Sequence, residues 1–258
     1  MNRTWQIAHA MTVASLLETV RRRELYVLLI LVVVMTVAAR AFTVFGVTGL
    51  EMFVKDMAFT GVGMFSTIIG VLIAARQLPE EIQRRTIYPM LARPITRWQF
   101  LVAKFLAAWS SAYLCFLVLN LAALLLLLAL RIPVRLIFVQ HLVLKAFAFS
   151  WLSGFTICLT IYMSPGAAAT VAMLLSFGSG VFARAFTMTY VGHPLLNIPV
   201  NIVYALLPHY SLFDLTAKVV YDWDPIHPAV MLFLMLYGVG IGLFWLYVGW
   251  RRFQTQPI

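Results

Sequence analysis

Residues 146–183 read AFAFSWLSGFTICLTIYMSPGAAATVAMLLSFGSGVFA and carry no charged side chain. As one helix these 38 residues would measure about 57 Å at 1.5 Å per residue, against a bilayer hydrocarbon core of ~30 Å. The chain must therefore turn inside the run. Ser164-Pro165-Gly166 lies near its middle, and a proline followed by a glycine breaks a helix and reverses the chain. The stretch predicts two membrane spans, 146–163 and 167–186, joined by a tight hairpin.

The same criterion, about 20 apolar residues in a row, places four more spans at 25–45, 57–75, 105–130 and 229–250. Arg40 lies close enough to the end of the first to snorkel, and Arg251-Arg252 closes the last. The expected fold is an all-α membrane protein, a single domain over 1–258 with six transmembrane helices. Composition agrees: 63% of the residues are hydrophobic, 11% are charged and mean hydropathy is +0.94. Soluble domains carry roughly 25% charged residues. A soluble enzyme, a disordered chain and a secreted disulfide scaffold are thereby excluded. Cys115 and Cys158 both lie inside apolar runs and read as small core residues, with neither disulfide nor zinc spacing. The first apolar run follows Arg21-Arg22-Arg23 and no small-residue cleavage site closes it, so no cleavable signal peptide is expected.

The net charge is +10. In a membrane protein this excess speaks first to topology rather than to nucleic acid. Six spans put both termini on one side. That side holds twelve basic residues: Arg3, Arg21, Arg22, Arg23, Arg76, Arg84, Arg85, Arg93, Arg97, Lys104, Arg251 and Arg252. The other holds seven: Arg40, Lys55, Arg131, Arg135, Lys145, Arg184 and Lys218. Both termini are therefore expected in the cytoplasm.

Three segments are not spans. Within 4–23, Val13, Leu16, Leu17 and Val20 repeat at helical spacing and Trp5 lies upstream. An amphipathic helix in the inner interface is expected, with Arg21–Arg23 at lipid headgroups. Within 78–93, Pro79 suits a first helical turn, Glu80 and Glu81 suit its positive end, and Arg84 and Arg85 stand four residues after each. Pro89 and Pro94 end this short charged cytoplasmic helix, and Thr96-Arg97-Trp98-Gln99 reads as a capping box opening the next one. The outer loop, 187–228, contains the apolar stretch Leu195–Leu207, interrupted by Pro199. It is too short to span and reads as interfacial or re-entrant.

Motifs that would carry chemistry are missing from the sequence. The four lysines precede Asp56, Phe105, Ala146 and Val219, so there is no Walker A motif and no nucleotide hydrolysis by this chain alone. Gly178-Ser179-Gly180 has no suitable histidine in the last span, and its glycines serve packing better than proteolysis. His193, His209 and His227 are spaced by 16 and 18 residues, which defines no metal site. No span carries an acidic residue, which disfavours ion-coupled secondary transport. Small residues do form ridges at four-residue steps: Ala168, Ala172, Ser176 and Gly180; Ser66, Gly70 and Ala74; and Gly238 with Gly242. Such ridges let helix backbones approach closely, within the chain or between copies.

The stretch from Glu80 to Arg97, with Lys104 beyond it, resembles the cytoplasmic loop of ABC-2 type ABC transporter permeases. The matching positions are Glu81, Thr86, Leu91, Arg93, Pro94, Arg97 and Lys104, with Met90 where leucine is usual. Leu207-Pro208-His209-Tyr210-Ser211-Leu212-Phe213-Asp214-Leu215 is similar to an outer-loop stretch of the same family. The nearest group looks like the permeases associated with multicopper-enzyme maturation. The resemblance implies that the 78–93 helix is a coupling helix seated in a separate ATP-binding subunit, with Glu80, Glu81, Arg84, Arg85, Thr86, Arg93 and Arg97 at the contact. It implies two ATP-binding subunits, which bind the ATP and magnesium, and two permease copies. Ser66, Gly70, Ser176 and Gly180 are then candidates for the twofold interface or the pathway. The expected function is the permease subunit of an ATP-driven exporter in the bacterial inner membrane. It would not be an enzyme itself, and would hold no metal and no cofactor. The alternative is a non-transporting anchor that relays ATP-driven motion to a periplasmic partner.

Overall fold

The structure, a computed structural model, describes residues 50–79, 96–129, 131–189 and 209–255, with the isolated positions 13, 30 and 34. Apart from those three positions, the expected interfacial helix at 4–23 and the first span at 25–45 lie outside the described residues, as do residues 80–93 of the coupling helix and residues 190–208 of the outer loop. Among the described residues the fold is all helical. Four helices are long and apolar enough to cross a membrane: α1 (Leu50–Gln77), α2 (Arg97–Ala129), α3 (Ile137–Tyr162) and α6 (Pro228–Thr255). Between them lie α4 (Pro165–Thr189), apolar over Pro165–Val181, a 3₁₀ turn (Tyr210–Phe213) and the short α5 (Thr216–Val220).

Local signals in the sequence set several of these ends. Thr96 and Gln99 cap α2 reciprocally. The Thr96 N–H donates to Gln99 Oε1 at 3.1 Å and the Gln99 N–H to Thr96 Oγ1 at 3.3 Å, which satisfies two otherwise orphaned donors. At Tyr162 α3 stops, Met163 is extended, and Pro165 occupies the first turn of α4, with Ala168 N–H on Ser164 O at 2.9 Å. Proline fits there because its missing N–H would have no helical partner. The helix thus breaks at the expected Ser164-Pro165-Gly166, between Tyr162 and Pro165.

Two other ends lack glycine. Arg131 follows α2 with φ +58°, and Asp222 follows α5 with φ +51°. In both, the residue at positive φ donates back to a carbonyl three residues earlier, and the next residue donates to one five earlier. These bonds are Arg131 to Leu128 and Ile132 to Leu127, then Asp222 to Val219 and Trp223 to Lys218. This is the Schellman pattern. Ile132 also packs with Leu127 in one apolar cluster, the contact that accompanies it.

Two helices begin earlier than the expected spans: α1 starts at Leu50 rather than 57, and α3 at Ile137 rather than 146. α2 opens at the expected Thr96 cap and runs unbroken through Lys104 into the apolar run. The apolar criterion leaves Lys55 and Lys145 just outside the spans. Each is instead inside a helix, 3% and 1% exposed, and each is paired with an aspartate from residues 209–228. A paired charge can be carried into a helix that an unpaired one would end.

The helices run up and down. At one end Arg97 Nη1 donates to Phe253 O and Gln254 O, both at 3.0 Å, so the start of α2 meets the end of α6. Trp98 and Trp250 meet edge to face there, with ring centroids 5.4 Å apart. At the other end the Gln140 side-chain amide pairs with the backbone of Ile226, at 3.0 and 2.8 Å. We call these the basic end and the loop end. Arg76, Arg97, Arg251 and Arg252 lie at the termini of α1, α2 and α6 that form the basic end. α3 is the central helix. Phe149, Trp151, Leu152 and Phe155 on it are buried against α1, α2, α6 and the 3₁₀ turn.

The glycine pair of α6 belongs to this packing. A Cβ on Gly154 of α3 would sit 2.6 Å from the carbonyl oxygen of Gly242, and one on Gly242 would sit 3.2 Å from Ser150 Oγ. Small residues here let two backbones touch. The Gly238/Gly242 motif therefore joins α6 to α3 within one chain.

Candidate functional site

A cavity of about 340 Å³ opens between α1, α3, α4 and the segment 210–216. Its walls are Thr60, Gly63, Met64 and Thr67 of α1; Lys145 of α3; Ser176, Phe177, Ser179 and Gly180 of α4; and Tyr210, Ser211, Asp214 and Thr216. α4 contributes polar atoms because its small ridge faces inward. Ala168, Ala172, Ser176 and Ser179 are all buried. α1 contributes them one helical turn apart, at Thr60, Gly63–Met64 and Thr67, as the 3.6-residue period requires.

The electrostatic centre is Lys145 with Asp214. Lys145 lies about 12 Å along α3 from its loop end, at 1.5 Å per residue. Its Nζ lies 3.4 Å from Asp214 Oδ1 and 4.8 Å from the centroid of the Tyr210 ring, a cation–π distance. The Asp214 carboxylate bridges the 3₁₀ turn and α5. Its Oδ1 accepts from Thr216 N at 3.1 Å and from Thr216 Oγ1 at 2.6 Å. Burial works to raise the Asp214 carboxyl. The Lys145 ammonium and the two Thr216 hydrogen bonds outweigh it and hold the group at about 2. Asp214 is therefore ionised at any ordinary pH. Its side chain is 42% exposed and that of Lys145 only 1%, so the carboxylate faces the opening and the ammonium lies behind it.

A chain of hydroxyls leads from this pair into α1. Thr67 Oγ1 donates to Gly63 O at 2.7 Å. A hydroxyl has one hydrogen, so the 2.8 Å contact between Thr67 and Tyr210 is donated by Tyr210. On the opposite wall Ser179 Oγ donates to Ser176 O at 2.9 Å and accepts the Ser211 N–H at 3.1 Å. That bond ties the 3₁₀ turn to α4.

A second pair, Lys55 Nζ to Asp222 Oδ2 at 2.6 Å, pins the far end of the same segment to α1. Two aspartates, two buried lysines and the Gln140–Ile226 amide pair thus fasten residues 210–226 across the loop end.

The residues singled out from the sequence do not gather at one place. Ser176 and Gly180 line the cavity. Ser66 and Gly70 are buried elsewhere on α1: Ser66 Oγ donates to Val62 O at 2.5 Å, and a Cβ on Gly70 would meet Ala112 and Phe149 at 3.1 and 3.2 Å. Arg97 caps α6. Glu80, Glu81, Arg84, Arg85, Thr86 and Arg93 lie outside the described residues, as does His193. His209 is buried with its ring 3.4 Å from Tyr237 Oη, and His227 Nδ1 accepts the Ala229 N–H at 3.3 Å at the start of α6. Among the described residues no three His, Cys, Asp or Glu side chains group to hold a metal.

The Lys145–Asp214 pair was not read from the sequence. Its one local sign was a lysine set between Leu142-Val143-Leu144 and Ala146-Phe147, too apolar a setting for a loop charge. Comparison of the chain with protein-family models gives no match, and comparison with curated proteins gives none either.

Proposed function

We propose that the chain is the membrane-spanning permease subunit of an ATP-driven exporter of the ABC-2 type. It works as a homodimer in the bacterial inner membrane, with both termini cytoplasmic and with two copies of a separate ATP-binding subunit that holds the ATP and magnesium. The observation that carries this is the setting of the charged stretch Glu80–Arg93. It is strung between α1 and α2, and the start of α2 is bonded through Arg97 to the end of α6. A push on that stretch would reach three long helices at once. At the other end, α1 also forms a wall of the cavity. Small shifts of packed helices against one another are a recurring form of conformational switching.

A second reading rests on a different observation. The segment 210–226 is fastened to α1 and α3 by two ion pairs and an amide pair. Helix motion would move it as a unit, as a mechanical relay to a periplasmic partner requires. Co-expression of the chain with the ATP-binding subunit separates docking from its absence. The expected result is a stable complex that Glu81→Lys weakens while membrane insertion stays intact. Equal recovery of the complex with Glu81→Lys would count against docking through this face. Reconstituted transport then distinguishes export from relay.

A further inference from the structure

The hydrogen bonds around the cavity define what it can bind. Thr67, Ser176 and Ser179 donate their hydroxyl hydrogens to Gly63 O, Met173 O and Ser176 O, at 2.7, 3.0 and 2.9 Å. Thr60 donates to Asp56, Thr216 to Asp214, and Tyr210 to Thr67. With one hydrogen each, these six hydroxyls are left with oxygen lone pairs. The Asp214 carboxylate adds more acceptors and is 42% exposed. The polar atoms of the wall are therefore mainly acceptors set among apolar surface, with the Ser211 hydroxyl as a further donor. Lys145 could donate, but at 1% exposure it sits behind Asp214.

Charge narrows the choice further. An anion would meet the Asp214 carboxylate with few donors to hold it. A cation would meet a carboxylate already neutralised by an ammonium 3.4 Å away, and would add a second positive charge in a partly desolvated site. A neutral ligand with many hydroxyls meets neither objection. Its O–H groups donate to the lone pairs, and Phe177 and Met64, both exposed, offer apolar surface to its C–H faces. The volume of about 340 Å³ lies at the small end of ligand sites, roughly 300–1,000 Å³.

We propose that this cavity binds a neutral polyhydroxylated ligand, a saccharide or polyol unit, through hydroxyls that donate to Asp214 and to the Ser and Thr oxygens of α1 and α4. That the unit is cargo rests on the exporter function proposed above; the binding does not. It can come from a free sugar or from the headgroup of a glycolipid, and the two are separated by the probes. The full chain is purified in a detergent without a sugar headgroup and placed in phosphatidylcholine nanodiscs. Saturable binding of radiolabelled maltose is measured, with unlabelled maltose, choline and glutamate as competitors. A second set of discs contains monoglucosyl diacylglycerol.

Maltose binding, or its loss in the glycolipid discs with direct glycolipid retention, supports the site. Neither choline nor glutamate should compete. Gly180→Leu should lower affinity at least tenfold, because a Cβ there lies 3.9 Å from Ser211 Cβ and the longer side chain then enters the cavity. Ser176→Ala, a smaller change that keeps the packing, should lower it severalfold and decides the matter if Gly180→Leu does not fold. No saturable binding of either probe, displacement by choline or glutamate, or unchanged affinity in both variants would overturn the inference. Binding that persists in a chain that recruits no ATP-binding subunit would overturn the exporter function alone. Recruitment without binding would overturn the cavity alone.

Discussion

Removing the two partners of the central ion pair should have unequal effects. Asp214→Asn leaves the Lys145 ammonium 1% exposed and without its counter-charge. Breaking a buried pair from one side costs about 3–5 kcal/mol. The low end applies here, about 3 kcal/mol, because the Asp214 side of the pair is 42% exposed. Lys145→Met is milder. Methionine packs along the path of the lysine stem, and Asp214 keeps both Thr216 hydrogen bonds and its 42% contact with solvent. That change should cost about 1 kcal/mol. The double variant should recover most of the Asp214→Asn loss, since no unpaired charge remains. At about 2–4 °C per kcal/mol for a chain of this size, Asp214→Asn should lower the unfolding midpoint by about 6–12 °C. Thermal unfolding in nanodiscs, followed by tryptophan fluorescence, reads all three variants. A larger loss for Lys145→Met than for Asp214→Asn, or no recovery in the double variant, would refute the assignment of Lys145 as the buried and Asp214 as the solvated partner.

The depressed Asp214 carboxyl sets a pH window. Its contribution to stability should be complete above the ordinary aspartate value of about 3.9 and lost as pH falls through about 2. The difference in midpoint between wild type and the Lys145→Met/Asp214→Asn variant should stay flat from pH 8 to about pH 4, measured by unfolding across that range. Gly154→Ala should separate α3 from α6, since its Cβ would lie 2.6 Å from Gly242 O, and should cost about 1–3 kcal/mol. Gly166→Ala, with nothing within 4 Å of its Cβ, should be neutral or gain up to about 1 kcal/mol; unfolding midpoints of the pair check the contrast. Arg131→Gly should stabilise the chain by up to about 1 kcal/mol by relieving φ +58°, and a lowered midpoint would show that the arginine side chain matters more than its backbone.

What could be read from the sequence depended on the range of the signal. The helix break at Ser164–Gly166 and the Thr96/Gln99 cap were legible because each is complete within a few neighbouring residues. The apolar runs were legible as helices, but their ends were drawn at the first charge. That rule fails wherever a distant partner neutralises the charge, as Asp222 does for Lys55 and Asp214 for Lys145. Neither aspartate stands near its lysine in sequence, so no local pattern announced the pairs. The ridges of small residues were legible as close contacts but not as to partner. Gly242 meets Gly154 of its own chain and Gly70 meets Phe149, while Ser176 and Gly180 face the cavity. Spacing specifies that a backbone can approach; the fold decides which one does.

The central proposal is that this chain works in a twofold complex with ATP-binding subunits. Native mass spectrometry of the affinity-purified assembly, released from nanodiscs with and without ATP, tests it most directly. The expected species contains two copies of this 29.1 kDa chain and two of a subunit whose peptides carry a Walker A motif, and the preparation hydrolyses ATP. A chain that leaves the membrane only as a monomer or homodimer, with no nucleotide-binding subunit and no ATP hydrolysis, would contradict it.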